Sequence, residues 1–179
     1  MVAMVSNHEK MTEKEKQEHR DFYPPFIAEK IIELNENRDI NKEVPTKITD
    51  FYPLYTAIWK ISNKAYQEEY WGKLGQWGDN FGETIETFRM DCEAVLDTSD
   101  YAVEMTPKQR EMLQKLLRIV EDYSGDTTTP LSRYGENDQA IINDPRWQEI
   151  GKYARKVYEE LSGDDLDAWE KTIMTKNNT

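Results

Sequence analysis

Apolar positions along this chain recur at helical spacing. Met112, Leu113, Leu116, Leu117, Val120 and Tyr123 form one stripe of a 3.6-residue repeat. Ahead of it, Thr106-Pro107-Lys108-Gln109 supplies a capping hydroxyl, a first-turn proline and a Gln at the third position. Gly125 marks the stop. Asp144-Pro145 opens a second helix with its stripe at Trp147, Ile150, Ala154, Val157, Tyr158 and Leu161, closed by Gly163. Asp164 or Asp165 starts a last short helix carrying Leu166, Trp169 and Ile173. In the first half, Leu54, Ile58, Ile61 and Ala65 predict a helix over about 51–70, and Ile85, Phe88, Val95 and Leu96 predict one over about 83–97. No segment alternates with period two over more than four residues, so strands are not predicted. The pattern predicts an all-α protein, a single compact helical bundle-like domain of five to seven helices over residues 21–175. Residues 1–20 mix acids and bases and predict a charged tail or frayed helix.

Two segments break the pattern. Residues 124–143 lack periodicity and predict a long loop, shortened if Glu136–Ile142 contains a helical turn. Gly72, Gly75, Gly78 and Gly82 interleave with Trp71, Trp77 and Phe81, which suggests a helix break or close crossing, or an exposed aromatic recognition surface. A weak echo also links Asp21-Phe22-Tyr23-Pro24 to Asp50-Phe51-Tyr52-Pro53, 29 residues later. It reads as two helix starts built alike, each with Asp as the cap and proline in the first turn.

Composition narrows the chemistry. The chain has 179 residues, 35 acids against 23 Lys and Arg, and a net charge of -12. That balance opposes direct nucleic-acid binding, whose electrostatic footprint is basic. No apolar run approaches the roughly 20 residues of a membrane span. One cysteine, Cys92, excludes an intrachain disulfide framework. With no secretory leader pattern, the lone thiol predicts a cytoplasmic protein.

Catalytic signals are weak. The glycine stretch lacks the Gly-Lys-Ser/Thr frame of a phosphate loop, and no strand precedes it. Cys92 lies between Asp91 and Glu93, whose anions disfavour the thiolate. His8 and His19 fall in the tail-like segment, and Asp164-Asp165-Leu166-Asp167 lacks a calcium-loop frame. No catalytic residue and no cofactor is predicted. Carboxylates one helical turn apart, Glu83 with Glu86 and Glu93 with Asp97, are the metal-binding alternative. They suit a divalent-metal-dependent all-α nucleotide hydrolase, although the pairs lie about two turns apart and only Glu68-Glu69 offers a second helix.

The charge is segregated. Asp91, Glu93, Asp97, Asp100 and Glu104 stand between Arg89 and Lys108 with no base among them. Glu121, Asp122, Asp126, Glu136, Asp138 and Asp144 meet only Arg133. Glu159, Glu160, Asp164, Asp165, Asp167 and Glu170 meet none. The bland account is solubility. The sharper expectation is a non-enzymatic acidic interaction protein that binds and blocks or adapts a basic surface on another protein, such as a nucleic-acid-handling enzyme whose groove it enters as a nucleic-acid mimic. Proteins of phage-inhibitor or immunity type share this profile by analogy. The predicted contacts are Asp91, Glu93, Asp97, Asp100, Glu121, Asp122, Glu159, Glu160, Asp164, Asp165 and Asp167, with Arg133 and Tyr134 from the long loop. A homo-oligomer or a structural subunit of a larger assembly are further readings.

Overall fold

The computed structural model describes residues 10–37, 45–71, 79–98, 102–131 and 137–177. Among them stand nine α-helices: α1 (Glu13–Phe22), α2 (Pro25–Glu36), α3 (Tyr52–Ser62), α4 (Lys64–Tyr70), α5 (Phe81–Leu96), α6 (Pro107–Gly125), α7 (Asp138–Ile142), α8 (Pro145–Ser162) and α9 (Leu166–Asn177). A single 3₁₀ turn, Ile48–Asp50, precedes α3. The only β pairing among the described residues is an isolated bridge between Lys47 and Glu104. The chain is all-α.

The helix count exceeds five to seven for local reasons. The helix expected over 51–70 is two, because Asn63 leaves helical geometry and its side chain accepts the Tyr66 N–H to start α4. A short α7 forms inside the long loop, and α1 forms in the charged N-terminal stretch behind a Thr12–Glu15 capping box.

Capping elsewhere follows sequence grammar, except that Gly125 is the last residue of α6 and Asp126, not the glycine, is its C-cap. Thr106 and Gln109 form the expected box on α6. Asp144 caps α8, and Gly163 ends it with a left-handed φ of 78°. The twin helix starts differ from expectation. Prolines do open α2 and α3, but neither Asp21 nor Asp50 caps the helix that follows. Asp21 lies in the last turn of α1, bonded by Gln17 and Lys176. Asp50 instead accepts the Thr46 and Lys47 N–H groups of its own 3₁₀ turn.

The chain divides into two compact units. The first is made of residues 1–43 and 165–179, whose described helices are α1, α2 and α9. Its buried apolar residues are Ile27, Ala28, Ile32 and Leu166.

The second unit, residues 44–164, holds α3 to α8. Helix α3 lies at its centre, packed by α8 and α5, while α6 packs on α8 and α5. Six of the eleven residues of α3 are buried: Leu54, Tyr55, Ala57, Ile58, Trp59 and Ile61. Such an all-round apolar helix is the mark of a central position. On α8 the whole predicted stripe is buried, together with Gly151. A Cβ at Gly151 would lie 3.2 Å from the Ile61 carbonyl oxygen, so glycine lets α8 and α3 cross closely. The expectation of close backbone approach at Gly72, Gly75 and Gly78, with Trp77, lies outside the described residues.

Trp71, Phe81, Tyr123 and Trp147 form a linked aromatic cluster, with ring centroids 5.0 to 6.3 Å apart. Trp71 and Phe81 are buried there, so these two aromatics serve the core rather than an exposed recognition surface.

Candidate docking surface

Helix polarity gives the acidic stretches their physical meaning. The last turn of a helix carries partial negative charge, which favours Lys, Arg or His nearby. Helices α5, α6 and α8 have no basic residue in that turn. Acids stand there instead: Glu93 and Asp97 at the end of α5, Glu121, Asp122 and Asp126 at the end of α6, and Glu159 and Glu160 at the end of α8. Each works against its own helix dipole and adds to the negative potential of that helix end.

Tertiary contacts decide which of these ends meet. Arg110, near the start of α6, donates to the Leu96 carbonyl at the end of α5 over 3.4 Å. Lys108, two residues earlier, pairs with Glu160 at 2.5 Å, and Gln109 donates to the Glu160 carbonyl at 3.2 Å. The ends of α5 and α8 therefore share the pole of the second unit at which α6 begins. Glu121 and Asp122 lie near the opposite pole, about 20 Å along α6 at 1.5 Å per residue.

The local partners of these acids differ. Arg89 holds both Glu93 and Glu86, at 2.7 and 2.8 Å. Glu159 lies 3.8 Å from Arg155. Asp164 accepts the Tyr158 hydroxyl at 2.8 Å, half-buried at the end of α8. Asp97 is the exposed residue after α5, its N–H donating to the Glu93 carbonyl. Asp165 and Asp167 belong to the first unit, where Asp165 accepts the Ala168 N–H and Asp167 lies exposed in the first turn of α9. Glu121 and Asp122 are exposed, and among the described residues no Lys or Arg pairs with either. Asp100, Arg133 and Tyr134 lie outside the described residues.

Asp91 stands apart from the rest. It is half-buried on α5, and its Oδ2 is enclosed without a hydrogen-bond partner. Burial raises its carboxyl above the ordinary aspartate value. Beside it, Cys92 is fully buried. Burial, with the charges of Asp91, Glu121 and Glu93, holds that thiol well above its usual value. Charges of the first and second stretches thus bear on this one thiol. The thiol is the protonated, unreactive form expected from sequence.

The metal alternative gains nothing from the third dimension. Glu83, Glu86, Glu93 and Asp97 are strung along α5, two of them on Arg89. Among the described residues, no three His, Cys, Asp or Glu side chains are grouped to share an ion. No described helix is long and apolar enough to cross a membrane.

Compared with known proteins, the chain matches no family model, no curated protein and no solved structure. Its functional reading therefore rests on its own residues.

One polar centre was not legible as such in the sequence. Every guanidinium nitrogen of Arg146 donates: Nε and Nη2 to Asp144 at 3.2 and 2.8 Å, Nη1 to Thr128 Oγ1 at 2.9 Å and Asp126 at 3.4 Å, and Nη2 also to the Thr128 carbonyl at 3.3 Å. Asp144 also accepts the Tyr123 hydroxyl at 3.1 Å. Arg146 thus clasps the turn after α6 onto the start of α8. A recess of about 500 Å³ lies beside it, bordered by Pro130, Asn137 and Ala140. The Asp144-Pro145 helix start was the only sequence signal. Arg146 is one of 23 basic residues, and nothing local marks it as a hub.

Proposed function

We propose that this protein is a non-enzymatic acidic interaction protein that docks on a basic surface of another protein, with a nucleic-acid-handling enzyme as the leading partner class, and blocks or adapts it. The observation that carries the reading is the placement of acids at three helix C-termini. Such placement costs stability through the dipole, and solubility alone would be served by acids anywhere on the surface. Glu121 and Asp122 carry the most weight, being exposed and without a basic partner among the described residues. Complementary charge of this kind speeds encounter and makes binding sensitive to salt.

The test is capture of binding proteins by the full chain at low and high salt, beside a Glu121→Lys/Asp122→Lys variant. The proposal expects a partner with a basic surface that is retained by the native chain at low salt, released at high salt and lost by the variant. A partner that the variant holds equally well, or that survives high salt, would overturn it.

A further inference from the structure

Ion pairs join the N-terminal helix to its neighbours. None of the ten residues of α1 is buried. Two of its half-buried positions, Lys16 and Arg20, lie one turn apart and form a cationic stripe facing α2. On α2, Glu29 and Glu36 lie seven residues apart on one face and receive it. Lys16 pairs with Glu36 at 2.5 Å, and Arg20 with Glu29 at 2.7 Å. A third pair, Lys176 with Asp21 at 2.8 Å, ties the end of α9 to the end of α1. By contrast, α2 buries Ile27, Ala28 and Ile32, and α9 buries Leu166.

We propose that α1 is a charge-latched helix, which undocks from α2 and α9 as ionic strength rises while the other helices stay folded. A ten-residue helix is marginal alone, so its order depends on docking. Exposed ion pairs are screened by salt, whereas the apolar contacts holding the rest of the chain are not weakened by it. Release strips Glu29, Glu36 and Lys176 of their partners and frees the cationic stripe of α1. The device responds to the same variable, salt, that governs the proposed docking, but it uses none of the docking residues.

Hydrogen exchange on the full chain tests it. Between about 0.1 M and about 1 M NaCl the screening length shortens from about 10 to about 3 Å. The amides of residues 16–23 should then lose protection roughly tenfold or more, after correction for exchange in an unstructured peptide, while those of α3, α6 and α8 hold. At low salt, Lys16→Glu/Arg20→Glu should show the same loss, and adding Glu29→Lys/Glu36→Lys should restore protection. Protection of α1 that ignores salt, that is lost only together with α3 and α6, or that the reversed pairs fail to restore would overturn the latch.

Discussion

Trp147 donates its indole N–H to the side-chain oxygen of Gln67 over 3.2 Å, across 80 residues of sequence. The amide nitrogen of Gln67 donates in turn to the Lys60 and Ile61 carbonyls, each at 2.8 Å. Those carbonyls belong to the last turn of α3, where no helical partner follows. One buried amide therefore closes the end of α3 and fixes the largest residue of α8 against it. Gln67→Ala leaves an indole N–H and two carbonyls inside the protein without this partner. A loss of about 2–4 kcal/mol is expected in denaturant unfolding, since each buried orphan costs about 1–3 kcal/mol.

The crossing of α3 and α8 makes a second prediction. Gly151 sits with its missing Cβ 3.2 Å from the Ile61 oxygen, the same oxygen that receives Gln67. Gly151→Val forces the two backbones apart and should destabilise by about 1–3 kcal/mol, the usual cost of overpacking. The check is the melting temperature beside Gly125→Val. That substitution lies at the end of α6 with nothing within 4 Å and should change little.

Acid should act through Asp144. Burial alone would raise its carboxyl, but bonds from the Arg146 side chain and backbone and from Tyr123 outweigh it and hold the value below the ordinary one. A carboxyl depressed in the folded state stabilises fully above its unfolded pKa, and that stability goes as pH falls through the folded value. Asp144→Asn should therefore be less stable by about 1–3 kcal/mol at neutral pH. The gap should stay constant down to about pH 5 and close below about pH 4, near the unfolded aspartate value. Denaturant midpoints of both proteins from pH 7 to pH 3 measure it.

The acids at the end of α6 should cost stability. Glu121→Lys/Asp122→Lys places cations where the helix dipole favours them and should raise the melting temperature by about 1–3 °C. A fall of that size would remove the argument from dipole cost. The gain should shrink in high salt.

Cys92 should be silent in the native state. It is fully buried, and burial with the Asp91, Glu121 and Glu93 charges keeps it protonated. Ellman's reagent should leave it unmodified at pH 8 in the folded protein and label it fully in denaturant. Rapid native labelling would contradict this placement.

The sequence alone determined the long helices α6 and α8. Caps such as Thr106 with Gln109, and stripes such as Trp147 to Leu161, act between residues three and four apart, so the chain states them locally. It also determined the acid segregation and the anions on either side of Cys92, while the burial that chiefly silences the thiol came with the packing. Only the tertiary structure decided which elements meet. The four glycines from Gly72 to Gly82 drew attention to close backbone approach, yet the described crossing uses Gly151, seen only once α8 lies on α3. Asp21 and Asp50 carry the same local sequence but cap no following helix, because their side chains take other partners in space or in the turn before. Three acidic stretches looked alike in sequence. Packing put the ends of α5 and α8 at one pole and left Glu121 and Asp122 at the other. The direction in which a helix runs beside its neighbour depends on fit between distant side chains, and no local pattern carries it.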